Sequence, residues 1–213
     1  MVQLRDYQRK AINGIVTQLR TAQSTLVVSP TGTGKTILFA EAARMASGRC
    51  MVIAHREELL NQAADKIQRS DGSHPDIEQA ELYASTNPLF KTKTVVASIQ
   101  SLNSRLNRGR RFERFEPSDF TLVVIDEAHH AIKANKTYQS IIDYFSVNPD
   151  LRVLGVTATP DRTDEQALGQ TFQTVAFEYP LYDPDGSSAI TDGWLCPIEV
   201  KSVIVDDINF DSI

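Results

Sequence analysis

Apolar residues follow two rhythms along this chain. Between residues 6 and 22, Tyr7, Ala11, Ile12, Ile15, Val16 and Leu19 recur at three- and four-residue spacing, which predicts a helix with one buried face. Elsewhere the apolar residues form short unbroken runs, at 26–28, 50–54, 94–97, 122–125 and 153–157. The intervening pattern predicts helices over 35–47, over 57–68 and around 138–145. Strands that are apolar on both faces and alternate with helices predict a mostly parallel sheet covered by helices on both sides. Its crossovers are expected to be right-handed, with ligands at the carboxyl ends of the strands. Residues 71–90 show little period and read as loops with room for one short strand, and 183–188 read as a turn.

The polar residues directly after these strands carry the candidate chemistry. After 26–28 comes Ser29-Pro30-Thr31-Gly32-Thr33-Gly34-Lys35-Thr36, and then a helix. Glycines let backbone N–H groups converge on phosphate oxygens, and the positive end of the helix adds to the attraction. In such a loop the lysine reaches the β- and γ-phosphates and the threonine hydroxyl can hold Mg²⁺. The strict pattern has glycine where this chain has Ser29. After 122–125 comes Asp126-Glu127-Ala128-His129. An acidic residue at a strand end beside such a loop is where Mg²⁺ is held, and the next carboxylate can orient and deprotonate an attacking water. A plain glycine turn and two solvated carboxylates are the bland alternatives, and each loses weight once the two motifs occur together.

Six segments resemble motifs of superfamily 2 helicases, and they occur in the right order. Residues 30–36, 126–129 and 157–160 resemble motifs I, II and III. Residues 54–59 and 97–102 resemble motifs Ia and Ib, and Leu4-Arg5-Asp6-Tyr7-Gln8 resembles the Q-motif. The order and spacing are similar to those of the branch that includes type III restriction Res subunits and related repair and phage helicases, and residues 190–195 fit that branch too. The resemblance covers about residues 3–205. It implies an α/β, RecA-like P-loop NTPase domain over 1–205, with 206–213 starting a linker toward a second RecA-like domain.

The resemblance also implies roles. Gln8 would pair with the N6/N7 edge of adenine, with Arg5 packed nearby, and Pro30, Thr31, Gly32, Thr33, Gly34, Lys35 and Thr36 would surround the phosphates of ATP. Thr36 and Asp126 would hold Mg²⁺, and Glu127 would be the base. His129, Thr157 and Thr159 would couple the nucleotide to the strand. His55, Arg56, Ser98 and Gln100 are candidate nucleic-acid contacts, with DNA expected in preference to RNA. His55 also reads as a polar residue at a helix start. Catalytic work is expected of Lys35, Asp126, Glu127 and His129. A second RecA-like domain is expected to supply arginines that stabilise transition-state charge.

Composition adds bounds. With 41% hydrophobic and 23% charged residues in 213, the chain reads as globular rather than disordered. Its net charge of −5 argues against a general nucleic-acid-coating protein but leaves room for a local phosphate track. The densest basic run is Arg105, Arg108, Arg110, Arg111 and Arg114. It reads as a solvated face partly neutralised by Glu113 and Glu116, or as a phosphate-binding insertion. Cys50 and Cys196 read as buried free thiols. No run approaches a membrane span and the first residues lack an apolar signal region, so a cytoplasmic protein is expected. Two functions remain open at this point. One is an ATP-driven helicase or translocase motor domain; the other is a lone module that binds nucleotide and nucleic acid without useful turnover.

Overall fold

The computed structural model describes residues 3–55, 57–132, 134–158 and 165–199. Its frame is a seven-stranded sheet in which every ladder is parallel. The strands are β1 (Ser24–Val28), β2 (Arg49–Ala54), β3 (Asp76–Glu78), β4 (Thr94–Ser98), β5 (Phe120–Asp126), β6 (Arg152–Thr157) and β7 (Thr174–Glu178), in the spatial order β3-β4-β2-β5-β6-β1-β7. The helices are α1 (Asp6–Gln18), α2 (Lys35–Met45), α3 (Glu57–Asp71), α4 (Ile99–Asn103), α5 (Lys136–Phe145) and α6 (Glu165–Thr171).

Alternate residues of each central strand enter opposite cores, because successive side chains in a strand point to opposite faces. Val27, Cys50, Val52, Val96, Val124 and Leu154 pack under α1, α2 and α3. Met51, Ile53, Val95, Val123, Ile125 and Val153 pack on the other side, with Leu102 of α4 and Ile141 and Phe145 of α5. The apolar runs are therefore continuous because both faces are covered, as the sequence pattern predicts.

Several details differ from the sequence expectation. The edge strand β7 was not predicted; its burial is only partial, and its apolar run is limited to Val175, Ala176 and Phe177. α1 ends at Gln18 rather than at residue 22, and α2 ends at Met45 rather than at residue 47. The basic run is neither wholly a solvated face nor wholly an insertion. Arg111 is buried and Arg114 half-buried, and both bind the Glu78 carboxylate, whereas Arg105 and Arg108 are exposed. Cys50 is buried as expected, and burial pushes its thiol pKa up. Cys196 is exposed, because it follows the 190–195 turn in a stretch without regular structure. Among the described residues no helix is long and apolar enough to cross a membrane.

Candidate functional site

The strand order places every motif along one rim of the sheet. P-loop residues follow β1, Thr157 ends β6 and Asp126 ends β5, and these three strands are neighbours. His55 follows β2 and Ser98 ends β4, which continue the same rim on the other side of β5. One half of the rim thus holds the phosphate-loop and acidic motifs, and the other half holds the candidate strand contacts.

The 29–36 loop is tied internally. Gly32 and Gly34 have φ of 88° and 84°, a left-handed conformation that costs residues with a Cβ about 1 kcal/mol or more. Thr33 Oγ1 donates to the Pro30 carbonyl at 2.6 Å, so the 2.6 Å contact between Ser29 Oγ and Thr33 Oγ1 is a donation from serine. Ser29 is fully buried. The departure from glycine at this position therefore supplies a hydrogen bond that holds the loop closed. Ser29 N also donates to the Thr157 carbonyl at 2.9 Å, which fastens the loop to β6.

Behind the loop, Gln8 is buried, its Nε2 donating to the Thr33 carbonyl (3.3 Å) and its Oε1 accepting from Arg5 N (3.0 Å). That leaves one amide hydrogen and one lone-pair direction on Gln8. Tyr7, absent from the sequence-based site, donates its hydroxyl to the same Thr33 carbonyl. Its ring stacks on Tyr179 at 4.5 Å, and Arg5 lies over Trp194 at 4.1 Å. A Cβ added to Gly32 would come within 3.1 Å of a Leu195 methyl, so the 190–195 turn abuts the loop. The aromatic position inside the Q-motif, next to Gln8, is the signal that could have found Tyr7.

Lys35 opens α2. Its Nζ is buried and has no hydrogen-bond partner among the described residues. Burial pulls its pKa below the usual lysine range, while the charges of Glu127 and Asp126 pull the other way. Thr36 follows it and is partly exposed. Asp126 is buried, and burial pushes its carboxyl above the usual range. Glu127 adds to that rise; the Glu127 N–H, donating to Asp126 Oδ1 at 3.0 Å, and the charges of Lys35 and His129 oppose it. A buried lysine amine with no hydrogen-bond partner among the described residues, following left-handed glycines and within the field of a desolvated carboxylate, fits a bound polyphosphate with a divalent cation.

Glu127 has φ of 51° and ψ of 53°, an uncommon conformation for a residue with a side chain. His129 Nδ1 lies 3.4 Å from Glu127 Oε2 and 3.1 Å from Thr157 Oγ1. Both neighbours accept hydrogen bonds, which favours the tautomer with hydrogen on Nδ1. The His130 ring stacks on His55 at 4.9 Å, and Gln100 Nε2 donates to the His55 carbonyl at 3.2 Å. His55 and Gln100 are exposed. Ser98 is buried, and its hydroxyl caps α4, accepting from Ser101 N at 3.0 Å and donating to Ser101 Oγ at 2.9 Å. Its side chain thus holds the turn that presents Gln100 rather than facing outward. Arg56 and Thr159 lie outside the described residues.

Residues 1–162 match the family described as type III restriction enzyme, res subunit. The chain belongs to that family. Over 218 aligned residues it is 29% identical to the putative ATP-dependent helicase IRC3 of Saccharomyces cerevisiae, covering 95% of this chain and 29% of that protein. A second relative, the DEAD-box ATP-dependent DNA helicase Fancm of Drosophila melanogaster, is 31% identical over 76% of this chain and 11% of its own length. The chain spans less than a third of either. Among solved structures, the Hef helicase domain of Pyrococcus furiosus superposes with a TM-score of 0.65 at 23% identity, covering 86% of this chain and 39% of that one. The fold of this res-subunit-family chain is accordingly that of a first RecA-like domain of superfamily 2 helicases.

The res-subunit fold also brings Tyr138 of α5 close to the site. Its hydroxyl is buried without a hydrogen-bond partner among the described residues. Its pKa is pushed up to about 12, mainly by burial and further by the Asp126 charge. In the sequence it reads only as one apolar position of a helix.

Proposed function

We propose that this chain is the Mg·ATP-binding motor domain of a nucleic-acid-dependent ATPase, a helicase or translocase that couples hydrolysis to movement along a strand. The observation that carries the reading is the Lys35 amine, buried without a hydrogen-bond partner among the described residues, between left-handed glycines and the Asp126–Glu127 pair. Such an amine is costly to bury and becomes favourable when a phosphate oxygen accepts its hydrogens. The names of the relatives, ATP-dependent helicases, support the same activity.

The residues divide the work. Gly32, Thr33 and Gly34 present loop N–H groups to the phosphates, with Pro30 and Thr31 shaping the entry, and Lys35 neutralises charge on the outer phosphates. Thr36 and Asp126 would hold Mg²⁺, which when bound supplies positive charge to the phosphate oxygens. Gln8 reads adenine with its remaining amide hydrogen and lone pair, beside Arg5. Glu127 accepts the proton of the attacking water, and the His129 Nδ1–H keeps its carboxylate aligned. His55, Arg56 and Gln100 meet the strand, with Ser98 bracing Gln100. DNA is proposed in preference to RNA, and competition between DNA and RNA oligonucleotides of one sequence checks it.

Coupling is proposed to run along the rim, with Thr157 and Thr159 on the nucleotide side. Thr157 touches His129, the adjacent His130 stacks on His55, and His55 accepts from Gln100. A shift of Glu127 on hydrolysis thus has a packed path to the strand side. Residues 1–205 are proposed as the first motor domain and 206–213 as the start of a linker to a second one, whose arginines complete the transition-state charge balance. The location proposed is cytoplasmic, and fractionation of cells checks it.

Calorimetric titration tests the nucleotide site. Wild type is expected to bind ATP more tightly with Mg²⁺ than without it, and Lys35→Ala to lose about 1.5–3 kcal/mol of binding. GTP is expected to compete poorly, and Gln8→Ala to narrow that preference. Equal ATP affinity in wild type and Lys35→Ala would overturn the assignment of Lys35.

A further inference from the structure

We propose that the turn from Arg105 to Arg110 is a phosphate-gripping prong that lengthens the path of the bound strand beyond Gln100. The inference rests on the nucleic-acid reading above and deepens it by placing where the strand goes.

The prong is built rather than loose. Arg105 and Arg110 form an antiparallel bridge, Leu106 N donates to the Gly109 carbonyl at 3.1 Å, and Gly109 takes the left-handed turn position with φ of 78°. Arg110 Nη1 donates to the Asn103 carbonyl at 2.6 Å, and Arg111 N to the Ser104 carbonyl at 2.9 Å, so the turn is clasped to the end of α4. Its base is anchored in the interior. Arg111 binds the Glu78 carboxylate and the Leu82 carbonyl, and also donates to the Ala80 carbonyl at 2.6 Å. Arg114 reaches the same carboxylate at 3.0 Å. Both guanidiniums lie over the Tyr83 ring, at 3.8 and 4.8 Å. Glu78 is fully buried at the end of β3.

A buried anchor therefore carries an exposed cationic tip. Arg105 and Arg108 are exposed and make no ion pair among the described residues. The carboxylate of Glu113 lies against Gly109 at the base of the turn. Counting Arg105, Arg108 and Arg110 against Glu113 leaves the prong positive, on a chain whose net charge is −5. Unpaired guanidiniums carried on a clasped turn match phosphate oxygens, which they can bind through two parallel N–H bonds.

The position of the prong favours a nucleic-acid strand over an acidic protein. The rim runs Asp126, His55, Gln100 and then the ends of β4 and β3, where the prong is anchored. α4 has five residues and spans about 7–8 Å, so the turn begins within a few nucleotides' length of Gln100. A strand lying on His55 and Gln100 and continuing outward meets Arg105 and Arg108 next.

Fluorescence anisotropy with labelled single-stranded oligonucleotides over a series of salt concentrations tests this. The probes are a short oligonucleotide that fills only the His55–Gln100 stretch and a long one. With the long probe, Arg105→Gln/Arg108→Gln is expected to lower the slope of log affinity against log salt by about 1.4, at about 0.7 per lost phosphate contact. The short probe and Mg·ATP affinity are expected to be unchanged. Arg69→Gln, at the opposite end of α3, is expected to leave both slopes alone. An unchanged slope for the long probe, with wild type binding it, would overturn the prong and leave the strand site standing. Equal weakening on both probes would also overturn it, by showing a general field effect. Binding of an acidic peptide in place of the long probe would assign the prong to a protein partner instead. Absence of any salt-dependent binding by wild type would overturn the strand reading itself, and the prong with it.

Discussion

At the level of single residues, the site holds groups that are unfavourable until something binds. Asp126 is buried with its pKa raised, mainly by desolvation. A carboxyl whose folded pKa lies above its unfolded value favours the folded state while protonated, and that preference is lost as pH rises through the folded value. At neutral pH its charge therefore lowers stability. Asp126→Asn keeps the size and the acceptor for the Glu127 N–H while removing the charge. Its melting temperature without ligand is expected to be higher by a few degrees, about 2–4 °C for each kcal/mol in a domain of this size. The rise on adding Mg·ATP is expected to be lost. Scanning calorimetry with and without Mg·ATP checks both, and a variant that melts lower without ligand contradicts the electrostatic account. Lys35, Asp126 and Glu127 were legible in the sequence because their chemistry depends on position after a strand. The hydrogen bond from Ser29 to Thr33 was not, since a serine in place of glycine reads as a defect until its partner is seen.

The elements show why some of the fold was legible and some was not. Five strands announce themselves as apolar runs because both of their faces are covered; β7 is an edge strand with three half-buried and two exposed residues, and its run of Val175, Ala176 and Phe177 between polar ends is no more than a short apolar patch in the pattern. A fainter signal was present in α1. Gly14 sits inside a helix, where glycine is disfavoured by about 1 kcal/mol, and a Cβ there would come 2.2 Å from the Ala176 carbonyl oxygen of β7. The helix lies that close to the edge strand. The basic run shows the opposite difficulty. Charge spacing alone cannot separate Arg111, which is buried on Glu78, from Arg105 and Arg108, which face solvent, because the separating fact is a long-range contact to residue 78. Arg111→Ala is expected to cost about 3–5 kcal/mol, since it strips one partner from a buried carboxylate, whereas Arg105→Ala is expected to cost under about 0.5 kcal/mol. Chemical denaturation checks the contrast, and equal midpoints for the two variants would contradict the anchor.

At the scale of the whole molecule, the order β4-β2-β5-β6-β1 explains how one rim gathers both the phosphate-loop motifs and the proposed strand contacts. The chain enters at β1, crosses to β2 on the far side of β5 and β6, and later fills the gap with those two strands. P-loop, Thr157 and Asp126 thereby become neighbours although Lys35 is 91 positions from Asp126 and 122 from Thr157 in the chain. The parallel α/β class was legible from the strand–helix alternation, but the order was not, because pattern says which segments are strands and nothing of which strands pair. On the proposed function, one such domain supplies one wall of a nucleotide cleft and one side of a strand groove. Residues 1–213 are therefore expected to bind Mg·ATP and to turn it over slowly, and a second RecA-like domain is expected to raise the rate by supplying arginines, an effect worth ~10³–10⁵ in related NTPases.

This rim is proposed to couple ATP hydrolysis to a bound strand. The direct measurement is steady-state ATP hydrolysis, with and without single-stranded oligonucleotide, by residues 1–213 as a verified monomer and by the same residues joined to a second RecA-like domain. The account predicts little hydrolysis by the first form, strand-stimulated hydrolysis by the second, and loss of that stimulated rate in Glu127→Gln with ATP binding retained. Strong strand-stimulated turnover by the monomer of residues 1–213, or full turnover by Glu127→Gln in the joined form, would contradict it.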